Sequence, residues 1–299
     1  MAKRLLAALA ALTLSLTAFA FTLAEDASAS PTAVAEEYVP KIVKDNPNLY
    51  TKVELSSLDK VDFTVAKYET NDENLPDIDV YLYPAEGKSV KEYAQNEAKM
   101  YGSSPFQLDP SSNVYFYYDT EMFDGKTYIT LNRIFQQDSD HIYEICYYYK
   151  MTDVRLGDSG LVVSVPNGYK KGAITDEIAA KGFTDYFDYT NVVKDGTAVS
   201  STLRAIFVGS EELEENQTLE DYVAIDQAFG ASTVFTTFAR NSFYKLISKD
   251  DTLFKNANVI EFVTEKDGTV YKISMIFEGN AFDLDTMIAQ TIGPDTEAE

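Results

Sequence analysis

The stretch from Tyr115 to Tyr149 recurs, in residue type rather than identity, from Phe243 to Phe277, and this recurrence constrains the fold more than any motif in the chain. His141-Ile142-Tyr143-Glu144-Ile145 aligns with Thr269-Val270-Tyr271-Lys272-Ile273 at a spacing of 128 residues, from 143 to 271. Without a gap, that spacing sets Leu131 on Val259, Ile134 on Phe262 and Phe135 on Val263. Upstream, Ser89-Val90-Lys91-Glu92-Tyr93-Ala94 faces Thr218-Leu219-Glu220-Asp221-Tyr222-Val223 at 129, a slip absorbed before Gly102 and Gly230 return to 128. A helix and strands in the same order over such a length predict an α+β fold of two tandem repeats, each an antiparallel β-sheet packed with one or two α-helices.

Local signals support those elements. Ser89-x-x-Glu92 is a capping box, Val90, Tyr93, Ala94, Ala98 and Tyr101 follow on one helical face, and Gly102 supplies the stop. Thr218-x-x-Asp221 repeats the box, with Leu219, Tyr222, Val223 and Phe229 on its face and Gly230 at its end. Asp124-Gly125 and Asp267-Gly268 mark hairpins between strands at Asn113–Met122 and Lys126–Phe135, and at Asn258–Glu265 and Thr269–Phe277. Tyr143, Ile145, Tyr147 and Tyr149 share one strand face, as do Tyr271, Ile273, Met275 and Phe277, so each set lies on a core while Glu144 and Lys272 point to water or a second layer. Further strands are expected at Val61–Val65, Ile78–Tyr83 and Leu203–Val208, with acidic loops at Asn71–Pro76 and Glu211–Glu215. A closing helix runs from an Asp283 cap, stapled by Phe282 and Met287, to about Thr291.

The ends and the composition bound the rest. Lys3 and Arg4 precede an apolar run from Leu5 to Leu23 with small residues at Ala18, Ala20, Thr22 and Ala24, the order of a secretory signal cleaved after Ala20 or Ala24. Removing residues 1–24 leaves 23 basic against 48 acidic groups, a net charge of −25. Such a surface repels nucleic acid and anionic lipid. The sole cysteine, Cys146, excludes an intrachain disulfide, so apolar cores must hold the fold. Domain organisation reads as a signal peptide at 1–24, a linker at 25–52, repeat 1 at 53–155, repeat 2 at 156–293 and an acidic tail at 294–299. Met151–Gly160, polar and glycine-bearing, reads as a linker between repeats, and Gly160–Tyr169 as the strand and turn that open the second.

Within residues 160–278, four pieces resemble the PsbP/DcrB-like superfamily of small α/β/α sandwiches in extracytoplasmic proteins. They are Val163-Ser164-Val165-Pro166-Asn167-Gly168-Tyr169, the strand Ala205–Val208, the helix start Thr218–Tyr222 and the hairpin around Asp267-Gly268-Thr269-Val270-Tyr271. The resemblance implies a binding, assembly or adaptor module and carries no functional residue onto this chain.

The residues offer little for catalysis. His141 is the only histidine and sits in the turn Asp138-Ser139-Asp140, which excludes two-histidine metal sites and reads as a solvated turn. No G-x-S-x-G is present. Gly125-Lys126-Thr127 lacks the earlier glycine of a phosphate loop, Thr120 standing there instead, and Cys146 has neither a basic neighbour nor a helix start to activate it. The pairs Asp77 and Asp79, Asp138 and Asp140, Asp250 and Asp251, and Asp283 and Asp285 do not continue into a calcium loop. No catalytic residue, cofactor or metal is assigned.

There are 21 tyrosines, 18 phenylalanines and no tryptophan. Tyr115–Tyr118 and Tyr147–Tyr149 put rings on both faces of their strands, and Tyr115, Tyr117, Tyr118 and Tyr148 are the candidate binding residues. The expected protein is a secreted, non-enzymatic bacterial binding or adaptor protein whose partner is a protein or glycan at the cell envelope, with no nucleic acid and no membrane insertion after signal cleavage. The alternative is a polysaccharide-binding protein or glycoside hydrolase using an acidic pair and surface tyrosines.

Overall fold

The computed structural model describes residues 38–123, 126–190, 203–238, 241–250, 257–278 and 284–295. The signal segment, the Asp124-Gly125 turn, Asp251 and the Phe282-Asp283 cap lie outside the described residues. The chain is α+β, with two antiparallel sheets.

The first sheet gathers α1 (Lys41–Asp45), β1 (Tyr50–Lys52), α2 (Ser57–Val61), β2 (Thr64–Thr70), β3 (Asp77–Pro84), α3 (Val90–Met100), β4 (Tyr115–Phe123), β5 (Lys126–Phe135), β6 (His141–Arg155) and β7 (Leu161–Pro166). Its order is β1-β2-β3-β6-β5-β4, with β7 on the far half of β6. The second comprises β8 (Lys170–Lys171), α4 (Asp176–Ala179), β9 (Phe183–Asp188), β10 (Leu203–Glu212), α5 (Leu219–Ala228), β11 (Ser232–Phe238), β12 (Asn241–Asp250), β13 (Ala257–Lys266) and β14 (Thr269–Phe277). Its order is β11-β12-β13-β14-β10-β9-β8. The chain then forms α6 (Leu284–Gln290) and returns to the first sheet, where β15 (Gly293–Pro294) pairs with β7.

The two sheets share one apolar core. Tyr143, Ile145, Tyr147 and Tyr149 of β6 enter the same buried cluster as Tyr271, Ile273, Met275 and Phe277 of β14. Each sheet thus covers the alternating face of the other, and full burial of a large apolar side chain contributes about 1.5–3 kcal/mol. α6 fills one side of this layer with Leu284, Met287, Ile288 and Ala289. It is tied down where Thr291 Oγ1 accepts from Ser164 N at 3.0 Å and Arg155 pairs with Asp295 at 2.6 Å.

The opposite faces carry the helices. Both capping boxes form, Glu92 N donating to Ser89 Oγ at 3.2 Å and Asp221 N to Thr218 Oγ1 at 3.1 Å. α3 buries Val90, Ala94 and Ala98 on Tyr117, Ile134 and Ile142, and α5 buries Val223 over Leu246, Val263 and Val270. Gly102 and Gly230 take φ of 70° and 96°, the left-handed stops that glycine allows. Asp267 and Gly268, at 54° and 81°, give the tight β13–β14 turn.

Several expectations need correction. Val61–Val65 is not a strand: Ser56 and Asp59 form a capping box that makes Ser57–Val61 a helical turn, and β2 starts only at Thr64. Residues 38–52 are not a linker, because Ile42, Val43 and Tyr50 are buried in the shared core and the Tyr38 ring packs, tilted, against Phe135 and Tyr143 at 5.1 and 5.4 Å. Met151–Arg155 continues β6, since Val154 and Leu156 have core partners in Val163 and Val165 across the hairpin. β7 accordingly belongs to the first sheet. Glu211 and Glu212 end β10 rather than begin a loop. The gap-free alignment slips by one in β5 and β13: Arg133 lies across from Ile145, but Phe262 lies across from Ile273. Ile134 and Phe262 therefore fall on opposite faces, as a one-residue shift in a strand requires.

Candidate binding surface

The aromatic runs of the first sheet are covered on both sides. Tyr117 and Tyr118 have no exposed area, while Tyr115 and Tyr148 are partly buried. Tyr117 lies under α3, stacked on Tyr101 at 6.0 Å and donating its hydroxyl to Glu144 at 2.7 Å. Tyr118 points into the intersheet core beside Phe106, at 5.6 Å. The expectation that Tyr115, Tyr117, Tyr118 and Tyr148 form an open binding face is corrected for Tyr117 and Tyr118, because a helix covers one side of their sheet and a second sheet the other. His141 is partly exposed, its Nδ1 3.0 Å from Asp138 Oδ1. Burial alone would raise the Asp138 carboxyl, but hydrogen bonds from the Asp140 and His141 amides and the His141 ring hold it below its usual range. Cys146 is buried in β6 between Asp79 and Asn132.

An open apolar and aromatic surface lies instead around α2. This one-turn helix buries none of its residues, and Leu58 and Val61 are 71% and 69% exposed. Its box is braced from the sheet, Lys67 of β2 reaching Asp59 at 2.6 Å. The chain then turns through Phe63 at φ 61°, a left-handed conformation that costs an aromatic residue about 1–2 kcal/mol. The Phe63 carbonyl accepts from Leu82 N at 3.0 Å, which pins the backbone to β3, while the residue stays 46% exposed. Its ring sits 5.4 Å from Tyr83, which lies 5.9 Å from Tyr81 and 5.5 Å from Tyr93 of α3. Burial first, then the charges of Glu144 and its neighbours, push the Tyr93 hydroxyl well above its usual value, so it remains a neutral donor. The result is a row of ring contacts beginning at Phe63, which follows the exposed Leu58 and Val61 of α2 in the chain. Sequence reasoning missed it, although Ser56-x-x-Asp59 followed by Val61 and Phe63 was the available signal.

The second sheet has a buried charged layer beneath α5. Lys272 reaches Glu211 Oε1 at 2.9 Å and Tyr222 Oη at 3.1 Å, and its ammonium lies 5.1 Å from the Phe183 ring centre. Burial raises the Glu211 carboxyl, but hydrogen bonds from Tyr222 and Lys272 outweigh it and hold the group below its ordinary value. Glu261 accepts from Ser274, yet burial wins there and its carboxyl is raised, as is that of Asp226. The Lys272 face thus meets a helix layer. Among the described residues, no group of three or more His, Cys, Asp or Glu side chains is arranged to hold a metal ion. A shallow depression of about 350 Å³ at the start of α3 is lined by Glu86, Gly87, Lys88, Glu92, Gln95 and Asn96.

No family model and no curated protein matches the chain. Among solved structures, it is similar to cyanobacterial PsbP from Synechocystis sp. PCC 6803, with 14% identity, covering 48% of this chain and 92% of that one at a TM-score of 0.34. It is also similar to a bifunctional dehydratase-cyclase domain of ambruticin biosynthesis, with 10% identity, covering 78% and 96% at a TM-score of 0.16. No described helix is long and apolar enough to cross a membrane.

Proposed function

We propose that the protein is an exported, non-enzymatic binding protein built from two copies of a PsbP-like unit, which docks a cationic partner protein on the Leu58, Val61 and Phe63 surface. The repeat is supported by matching topology: β1-β2-β3-β6-β5-β4 and β8-β9-β10-β14-β13-β12 follow the same order of connection. A short helix follows the first strand and a capped helix the third in each series. The isolated Phe106–Phe116 bridge stands where β11 extends the second sheet.

The observation that carries the binding site is Phe63, an aromatic residue kept at positive φ with 46% of its surface exposed. Its contact with Tyr83 leaves nearly half of the residue uncovered, and a partner that buries the rest offsets more of that strain. The formal charge of −23 favours a basic partner and accelerates its encounter. A photo-crosslinking amino acid at position 58, in the exported chain of the producing cells, tests this. The expected result is one adduct that weakens with added salt and disappears in the Val61→Asp/Phe63→Ser variant. Labelling no stronger than from a control site at Glu73, or specific glycan-array binding abolished by the same variant, would overturn the reading.

A further inference from the structure

Five strands end the sheets among the described residues, and four are blunted. β1 is three residues long and ends in Lys52, β8 is Lys170-Lys171, and β15 is Gly293-Pro294. β4 carries Asp119 and Glu121, and its outer side is bridged where Phe106 and Phe116 exchange backbone hydrogen bonds of 2.8 Å. Charges, proline and shortness are the devices that stop sheet edges from pairing with other chains. β11 has none of them: its seven residues, Ser232-Thr233-Val234-Phe235-Thr236-Thr237-Phe238, contain no charge, proline or glycine. No described strand pairs its outer edge.

Side chains on both faces of this edge are also open. Phe235, 61% exposed, lies on the α5 side against Tyr244 at 5.3 Å, on the face shared with the end of α5, where Ile225 and Phe229 are exposed, Phe229 at 87%. On the opposite face Val234, 55% exposed, stands across from Lys245, and the exposed Ile247 across from Ser232.

We propose that β11 is a self-association edge, on which a second copy of this chain adds its own β11 antiparallel about a twofold axis centred on Phe235. The inference is independent of the partner surface on the first sheet. Two arguments select a second copy. The strand is neutral in a chain of net charge −23, so two copies meet where no like charges face each other across the new pairing. The five exposed apolar side chains present on the order of 600 Å² per copy, which doubled reaches the roughly 1,200 Å² at which stable interfaces begin. The pairing is isologous, so it closes at a dimer instead of propagating. It joins two seven-stranded sheets and satisfies the outward backbone groups of both edges.

The test is sedimentation equilibrium of the mature chain over a range of concentrations, from about 0.05 M to about 0.5 M NaCl. The expected result is a monomer–dimer equilibrium that strengthens with salt, as repulsion between the acidic bodies is screened. Val234→Lys and Phe235→Lys each abolish the dimer, and Phe235→Thr, which keeps strand propensity, weakens it at least about tenfold. Leu58→Asp leaves it unchanged. Far-ultraviolet circular dichroism identifies any variant that fails to fold, and the Thr variant then decides. A chain that stays monomeric throughout, or a dimer that survives both lysine variants, overturns the proposal. So does a wild-type monomer whose edge binds only added strand peptides.

Discussion

Lys272 and the carboxylates around it show how burial and hydrogen bonding set opposite signs within one layer. Glu211 is held below its ordinary value, so its stabilising contribution is present above the unfolded carboxylate pKa of about 4.3 and is lost as pH falls through the folded value. Glu261 is raised, so its contribution is full below that unfolded value and is lost as pH rises through the folded one. Two thermal scans follow. Glu211→Gln lowers Tm at pH 7 by a few degrees, for a loss of about 1 kcal/mol after allowance for its partial exposure, and the deficit disappears in acid. Glu261→Gln raises Tm at pH 7, keeping an acceptor for Ser274 without the buried charge, and its advantage shrinks as pH drops toward 4.3. Shifts of the same sign in both variants would contradict this assignment.

At the level of elements, the helix starts are the most legible features, because a capping box is a local contract between residues three apart. Ser89→Ala and Thr218→Ala should each cost about 1 kcal/mol in denaturant unfolding, with the midpoint reduced and the slope unchanged. Strand faces were legible for the same reason: alternation at Tyr143–Tyr149 and Tyr271–Phe277 marks a buried face without naming what buries it. What covers a face depends on contacts far apart in sequence. The aromatic run Tyr115–Tyr118 therefore read as surplus, when one pair of rings serves α3 and the other the opposite sheet. Phe229 shows the reverse failure. Its helical spacing matches Leu219, Tyr222 and Val223, yet it is the C-cap residue of α5 and stays 87% exposed. The hairpin at Leu156–Gly160 looked like a linker because polar residues occupy its turn while the core contacts come from Val154, Leu156 and Val163 on either side.

For the whole molecule, the common core implies that the two sheets are one thermodynamic body. β14 leads into α6, which packs on β4 and β7 of the first sheet, joins the shared cluster and pairs Asp285 with Lys245 of β12, and β15 closes on β7, so the last residues of the chain lock the first sheet to the second. Met287→Ala, deleting a buried side chain from that junction, should cost about 2–5 kcal/mol and lower the unfolding temperature of both sheets together. Val90→Ala, in the buried face of α3 on the outer side of the first sheet alone, should also move the second. Differential scanning calorimetry of the mature chain beside these two variants tests the shared core most directly. The account predicts a single transition whose calorimetric and van't Hoff enthalpies agree, displaced as a whole by either substitution. Two resolved transitions, with Val90→Ala moving only one, would contradict it.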